Sequence, residues 1–177
     1  ALADVVLDAR DFPLERLGLI DRLNASGFIV RKFSVQFAGL DGTLSTPFYF
    51  FDHTDHPCKQ TWQVVRSEFD QLLVENAAES GAEFVFGTAA RELLWEDGRV
   101  VGVRAEGPDG PREFRAPVTI DATGRDTFAQ AKNRWHVPDK ELRKVAIWTY
   151  FEGAMRDPGV DEGATTIAYL PEKGWFW

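Results

Sequence analysis

The residues best suited to chemistry are an arginine, an Asp/Gly turn, an early aspartate and a His/Cys loop. Arg66 stands in QVVRSEFDQLL, where a segment of helical periodicity begins. The helix dipole disfavours a cation there. An arginine in that place makes sense facing an anion such as a phosphate; the plain alternative is a solvated side chain. DATGR, residues 121–125, follows the apolar run Val118, Thr119, Ile120. Gly124 lets the backbone approach a ligand, and a short turn of free amides can face a pyrophosphate. The same residues also suit an ordinary strand-to-helix turn. Asp8 closes the apolar run Val5, Val6, Leu7. In dinucleotide-binding folds an acid at that point accepts hydrogen bonds from ribose hydroxyls, although many strands end in aspartate. His53, His56 and Cys58, with Asp52 and Asp55, are too loosely arranged for a zinc site, so no metal is expected. Cys58 has no evident partnered base and reads as an inert thiol.

These residues need elements to hold them. Residues 5–7 predict a buried strand ending at Asp8. Leu14, Leu17, Ile20 and Leu23 mark one face of a helix stopped by Gly27. Phe33, Val35 and Phe37 alternate with polar residues as in a strand, and residues 46–52 predict another. Residues 66–82 form the clearest helix, with Phe69, Leu72, Leu73, Asn76 and Ala77 on one stripe and Gly81 as its stop. EFVF is strand-like. Asp97-Gly98 between two apolar stretches predicts a hairpin, and GPDGP a second turn. APVTIDATGR predicts a buried strand leading into its turn. VAIWTYFEGA, TTIAYLP and GWFW read as strands of an antiparallel sheet, with a boundary near residues 130–143. The expected fold is mixed α/β: a nucleotide-binding layer, then a sheet covering a ligand.

Composition narrows the function. The chain has 177 residues, 14 Phe and 6 Trp, enough apolar surface for one or two small folded domains. No stretch approaches the roughly 18 apolar residues of a membrane span. A net charge of -8, from 28 acidic and 20 basic residues, argues against a nucleic-acid partner. One cysteine excludes an internal disulfide framework and suggests a reducing, cytoplasmic setting.

Taken in order, VVLDARDFP, ERLGL, FIVRKFSVQFAG, QVVRSEFDQLLVENAAESGA, GRVVGV, TIDATGR, AIWTYFEGA and GWFW resemble the FAD-dependent monooxygenase superfamily. More narrowly they resemble its flavin-dependent halogenases, the type acting on phenols or pyrroles, often tethered to carrier proteins. The resemblance implies a Rossmann-like FAD-binding layer, incomplete here, over residues 1–135, and the start of a substrate-side antiparallel sheet over 136–177. It implies Asp8 on the adenosine ribose, Arg66 on the flavin, Ala90 at a backbone contact to adenine, and Asp121 and Gly124 in the turn beneath the cofactor. Trp175 and Trp177 would wall the flavin off from the substrate. Lys32 would take hypohalous acid and deliver an electrophilic halogen, since an ammonium can hydrogen-bond hypohalite and a neutral amine can form a haloamine.

The implied cofactor is FAD, reduced by a separate flavin reductase, with chloride or bromide as co-substrate. The implied partner is an aromatic small molecule, free or tethered to a carrier protein. The same scaffold also suits aromatic hydroxylation or isoprenoid reduction, and a non-catalytic remnant is the alternative of another class. The pattern departs from the family at three places: no glycine-rich turn before Asp8, no G-E-S-L-L-P-like segment after Pro13, and no Gly-Asp motif after GWFW. On the resemblance, the chain is expected to be a fragment.

Overall fold

The structure, a computed structural model, describes residues 2–5, 13–55, 59–142, 144–172 and 174–177. Its strands are β1 Leu2–Val5, β2 Ile29–Lys32, β3 Ser34–Ala38, β4 Phe48–Tyr49, β5 Thr61–Val65, β6 Ala89–Glu96, β7 Arg99–Gly107, β8 Gly110–Arg115, β9 Thr165–Leu170 and β10 Gly174–Phe176. Its helices are α1 Pro13–Arg16, α2 Ile20–Ala25, α3 Arg66–Glu79 and α4 Phe128–Asn133. The mixed α/β expectation holds. Two compact units emerge, Ala1–Ala82 with Phe151–Trp177, and Glu83–Tyr150. The C-terminal strands belong to the same unit as the N-terminal segment. Among the described residues, no helix is long and apolar enough to cross a membrane.

In the first unit, β5 lies between β1 and β2, antiparallel to both. Its period-two alternation turns Trp62 and Val64 into the core, where α3 covers them with Phe69 and Leu72. The single helix expected over residues 14–27 is instead α1 and α2. Gly18, at φ +69°, takes the left-handed conformation that ends α1. The Gly18 amide then donates to Glu15 and the Leu19 amide to Leu14, both at 2.8 Å. That turn buries Leu14 and Leu19 together and leaves Leu17, expected on the inner face, 51% exposed. Leu23 on α2 completes this side of the core. The helix expected over 66–82 is α3.

A second sheet of the same unit runs β10, β9, β3, β4. β9 and β10 pair antiparallel as expected, but β9 lies parallel to β3, with Val35 opposite Thr165. The sheet that β9 and β10 join is mixed through β3, a strand outside the expected antiparallel set. The expected strand over residues 46–52 shrinks to β4 followed by a 3-10 turn, Phe50–Asp52.

The second unit is built on the meander β6, β7, β8. Asp97 and Gly98 both take positive φ, +48° and +74°, as the expected tight hairpin requires. The outer face is held by ion pairs, Arg104 to Glu92 and Glu113, and Arg115 to Glu96 and Glu113. Three expected strands of this region do not form. Residues 83–86, 116–120 and 145–150 carry no strand. Ile120 and Ile147 are 83% and 93% exposed. Apolar, β-branched sequence supplies propensity, but a strand needs a neighbour to receive its backbone hydrogen bonds along its length; the Ala116 amide donates to Val101 of β7 at 3.1 Å, and the ladder goes no further.

Candidate functional site

The polar residues buried in the structure gather in one place. Among the described residues, the buried polar or charged side chains are Lys32, Ser34, Thr61 and Thr165. Lys32 ends β2 opposite Thr61 of β5. Phe33 intervenes, and Ser34 opens β3 opposite Tyr49 of β4. Thr165 of β9 sits opposite Val35. Residues 32–34 are thus the corner at which the chain leaves one sheet and enters the other. Lys32 is 7% exposed and Ser34 0%. Lysine is almost never this buried unless it is paired. The Thr165 hydroxyl is buried with no hydrogen-bond partner, a group that a polar ligand can satisfy.

Phe33 lines an open surface hollow of about 620 Å³ together with Phe51, Lys59, Gln60 and Val160. Phe33 and Phe51 meet edge to face, centroids 6.4 Å apart, and Tyr49 stacks on Phe51 at 5.0 Å. Such a wall of rings suits a flat apolar guest, with the lysine and glutamine as polar handles.

The corner is closed by the loop that precedes β9. In the 3-10 turn Gly159–Asp161, the Asp161 carboxylate accepts hydrogen bonds from the Ser34 hydroxyl at 3.1 Å and the Tyr49 phenol at 2.9 Å. Its negative charge, first through that hydrogen bond, raises the Tyr49 phenol above the ordinary tyrosine range. The Gly163 carbonyl accepts from the Gln63 amide at 3.0 Å. Ser34, Tyr49, Asp161 and Gly163 were not legible as site residues. Their contacts join segments 100 or more residues apart, and no local pattern marks them.

The other expected residues fall as follows. Arg66 begins α3, half-exposed, with its Nε and Nη2 each donating to Asp70 at 2.9 Å. That carboxylate raises the guanidinium further above its usual range. Ala90 lies exposed on β6 opposite Ala105. Asp121 accepts from the Thr123 hydroxyl and amide and from the Ala129 amide, which holds its carboxyl below the usual aspartate range. Together with Thr123 it caps α4, so these amides already have intramolecular partners. Gly124 follows at φ +61° with open space where a Cβ would stand. Trp175 and Trp177 are exposed at the β10 end of the second sheet, Trp175 opposite Tyr169. Asp8 lies outside the described residues, as do His56 and Cys58 of the His/Cys loop. His53 stacks on Phe48 at 4.1 Å.

Comparison with known proteins supplies the affiliation. The model of a family described as the FAD binding domain matches residues 40–145, more than half of the chain. The chain belongs to the FAD-binding domain family. Flavin-dependent halogenases are among the relatives of this FAD-binding chain. A 1H-pyrrole-2-carbonyl-[peptidyl-carrier protein] brominase of Pseudoalteromonas luteoviolacea is 30% identical over 163 residues, covering 91% of this chain and 38% of that protein. A digeranylgeranylglycerophospholipid reductase of Methanopyrus kandleri is 49% identical over 117 residues, covering 63% of this chain and 30% of that protein. Among solved structures, the myxobacterial chondrochloren halogenase CndH superposes with a TM-score of 0.71 at 27% identity, covering 93% of this chain and 37% of that one. The chain thus spans under half the length of the relatives it matches.

The start of α3 offers donors of the kind an anionic group accepts. The N-cap of α3, Val65, makes no side-chain cap, so no cap side chain covers the first amides of a 14-residue helix. Arg66 stands there, and Asp70 uses two of the five N–H donors of its guanidinium.

Proposed function

We propose that the protein is a flavin-dependent, halogenase-like oxidoreductase acting on an aromatic substrate. The observation that carries this reading is Lys32, buried beside Ser34 at the β2–β3 corner, in a chain related to a pyrrolyl brominase. When bound, FAD reduced by a separate reductase would give two electrons to oxygen, bringing it to the peroxide level that oxidises chloride or bromide to hypohalous acid with release of water. Lys32 binds that acid and hands on its halogen. If the amine attacks, an N–halogen bond forms, the O–halogen bond breaks and water leaves. The aromatic carbon then takes the halogen, and the proton it loses returns to the lysine nitrogen. The ring of Phe33, next to Lys32 in the chain, and that of Phe51, which meets it edge to face, support a flat substrate. The carrier-linked substrate named for the Pseudoalteromonas brominase supports a carrier-tethered one.

On the cofactor side we assign Arg66 to a phosphate or the flavin, Asp8 to the ribose, Ala90 to adenine, and Asp121 and Gly124 to the turn beneath the cofactor. Trp175 and Trp177 screen the flavin from the substrate.

A second reading has its own support: the Methanopyrus reductase shares more identity over a shorter stretch. Reduction of an isoprenoid double bond needs no halide, nor does aromatic hydroxylation. Full-length protein with reduced FAD, oxygen and a phenol or pyrrole should give halogenated product only when halide is present. Hydroxylated or reduced product without halide would overturn the halogenase reading, and failure to bind FAD would favour a non-catalytic protein. In the Lys32→Ala variant, reduced flavin should still bind and react with oxygen while halogenated product falls by orders of magnitude. Lys32→Arg should not rescue it, because guanidinium stays protonated. Near-normal halogenation by the alanine variant would remove Lys32 from the chemistry.

A further inference from the structure

We propose that Asp161 is the positioning residue for Lys32, holding the β2–β3 corner at the level from which the lysine works. The proposal rests on the reading of Lys32 above. Ser34 and Tyr49 face one another across β3 and β4, and both hydroxyls converge on the Asp161 carboxylate, one on each oxygen. Ser34 is fully buried and two residues from Lys32, so its hydroxyl needs that acceptor. The same loop grips the other side of Lys32. A Cβ on Gly163 would stand 2.0 Å from the Arg31 carbonyl oxygen, so the loop backbone lies directly on residue 31. The Gly163 carbonyl is itself held by Gln63 of β5. Residue 32 is therefore bracketed: Asp161 fixes residue 34 and Gly163 abuts residue 31.

Neither a shape-filling amide nor an alanine replaces this carboxylate. Two hydroxyl donors on two separate oxygens need an acceptor at each, and asparagine offers one carbonyl oxygen. A shift of about 1 Å in a positioned group is enough to cost a reaction about a hundred-fold.

The test uses the full-length protein with Asp161→Asn, Ser34→Ala, their double variant, Tyr49→Phe and Lys32→Ala. FAD affinity, the rate of flavin reoxidation by oxygen, halogenated product per flavin reoxidised, and free hypohalous acid trapped by monochlorodimedone are measured on each. Asp161→Asn and Ser34→Ala should lower product per flavin by about ten- to a hundred-fold, with reoxidation and FAD affinity unchanged and more hypohalous acid reaching the trap. The double variant should be no worse than Asp161→Asn alone, since the contact that Ser34 makes is already lost there. A cofactor-free check is ultraviolet titration of the tyrosines. The carboxylates acting on the Tyr49 phenol are Asp161 and Asp52, and Asp161→Asn should bring that phenol back toward its ordinary range. Unchanged product per flavin in Asp161→Asn, or a fall that tracks lost FAD affinity, overturns the proposal. If Asp161→Asn does not fold, Ser34→Ala decides in its place: product per flavin lost with FAD affinity kept supports the proposal, and unchanged product overturns it. Product retained in Lys32→Ala would instead defeat the reading of Lys32 itself. Product lost there but kept in Asp161→Asn would defeat only the assignment of Asp161.

Discussion

Gly163→Ala offers a direct measure of how tightly the loop sits on the Lys32 corner. The added Cβ would lie 2.0 Å from the Arg31 carbonyl oxygen, 2.8 Å from its carbon and 3.1 Å from a Val30 methyl. The first two atoms are backbone of β2, which is paired along its length with β5 and has little room to yield. The contact must open by about 1.4 Å, from 2.0 Å to an ordinary 3.4 Å, at an overpacking cost of about 1–3 kcal/mol. That withdrawal also stretches the 3.0 Å bond from Gln63, worth about 1 kcal/mol. The expected loss is therefore about 2–4 kcal/mol, a fall in Tm of roughly 4–16 °C for a domain of this size. Gly159→Ala, in the same loop, is the control. Its φ of +70° strains an alanine, but nothing stands within 4 Å of the new Cβ. Its cost should be about 1 kcal/mol. Urea unfolding of both variants, followed by circular dichroism, measures the difference. Equal midpoints for the two variants, or a Gly163→Ala midpoint at the parent value, would refute the close approach of the loop to β2.

Other consequences follow from single contacts. Arg66→Ala should weaken FAD binding by about ten- to a hundred-fold, the worth of a charge-assisted contact, and an unchanged Kd by titration would make Arg66 a surface partner of Asp70 alone. Arg134 closes α4 in the left-handed conformation at φ +57°, the place glycine favours. Arg134→Gly should therefore raise stability by about 0.5 kcal/mol, and a lowered urea midpoint would contradict the cap. Asp121 is held below its ordinary range by Thr123 and Ala129, so its contribution to stability is present above the unfolded value and lost as pH falls through the lower folded one. Thermal scans should show Asp121→Asn less stable than the parent near neutrality, with the two converging below about pH 3.8, the ordinary value; a gap that stays constant with pH would mean the charge is not involved.

What the sequence alone determined is local. The Asp97-Gly98 hairpin and the helix from Arg66 were legible because each depends on residues a few positions apart: two positive-φ turn residues, or an apolar stripe of helical period. The FAD-binding affiliation was legible in the same way, through short runs such as RSEFDQLL and DATGR. Local reading failed where a neighbour decides. It joined α1 to α2, because spacing by threes does not reveal that Gly18 turns the chain so that Leu19, not Leu17, enters the core. It placed strands at residues 116–120 and 145–150, because propensity is a property of the segment while a ladder is a property of a pair. Tertiary structure alone decided that β9 runs parallel to β3, and that Asp161, 127 residues from Ser34, lies within hydrogen-bond reach of it. Lys32 shows both limits at once: its type and motif were readable, but its burial comes from a corner that distant strands and a loop assemble around it.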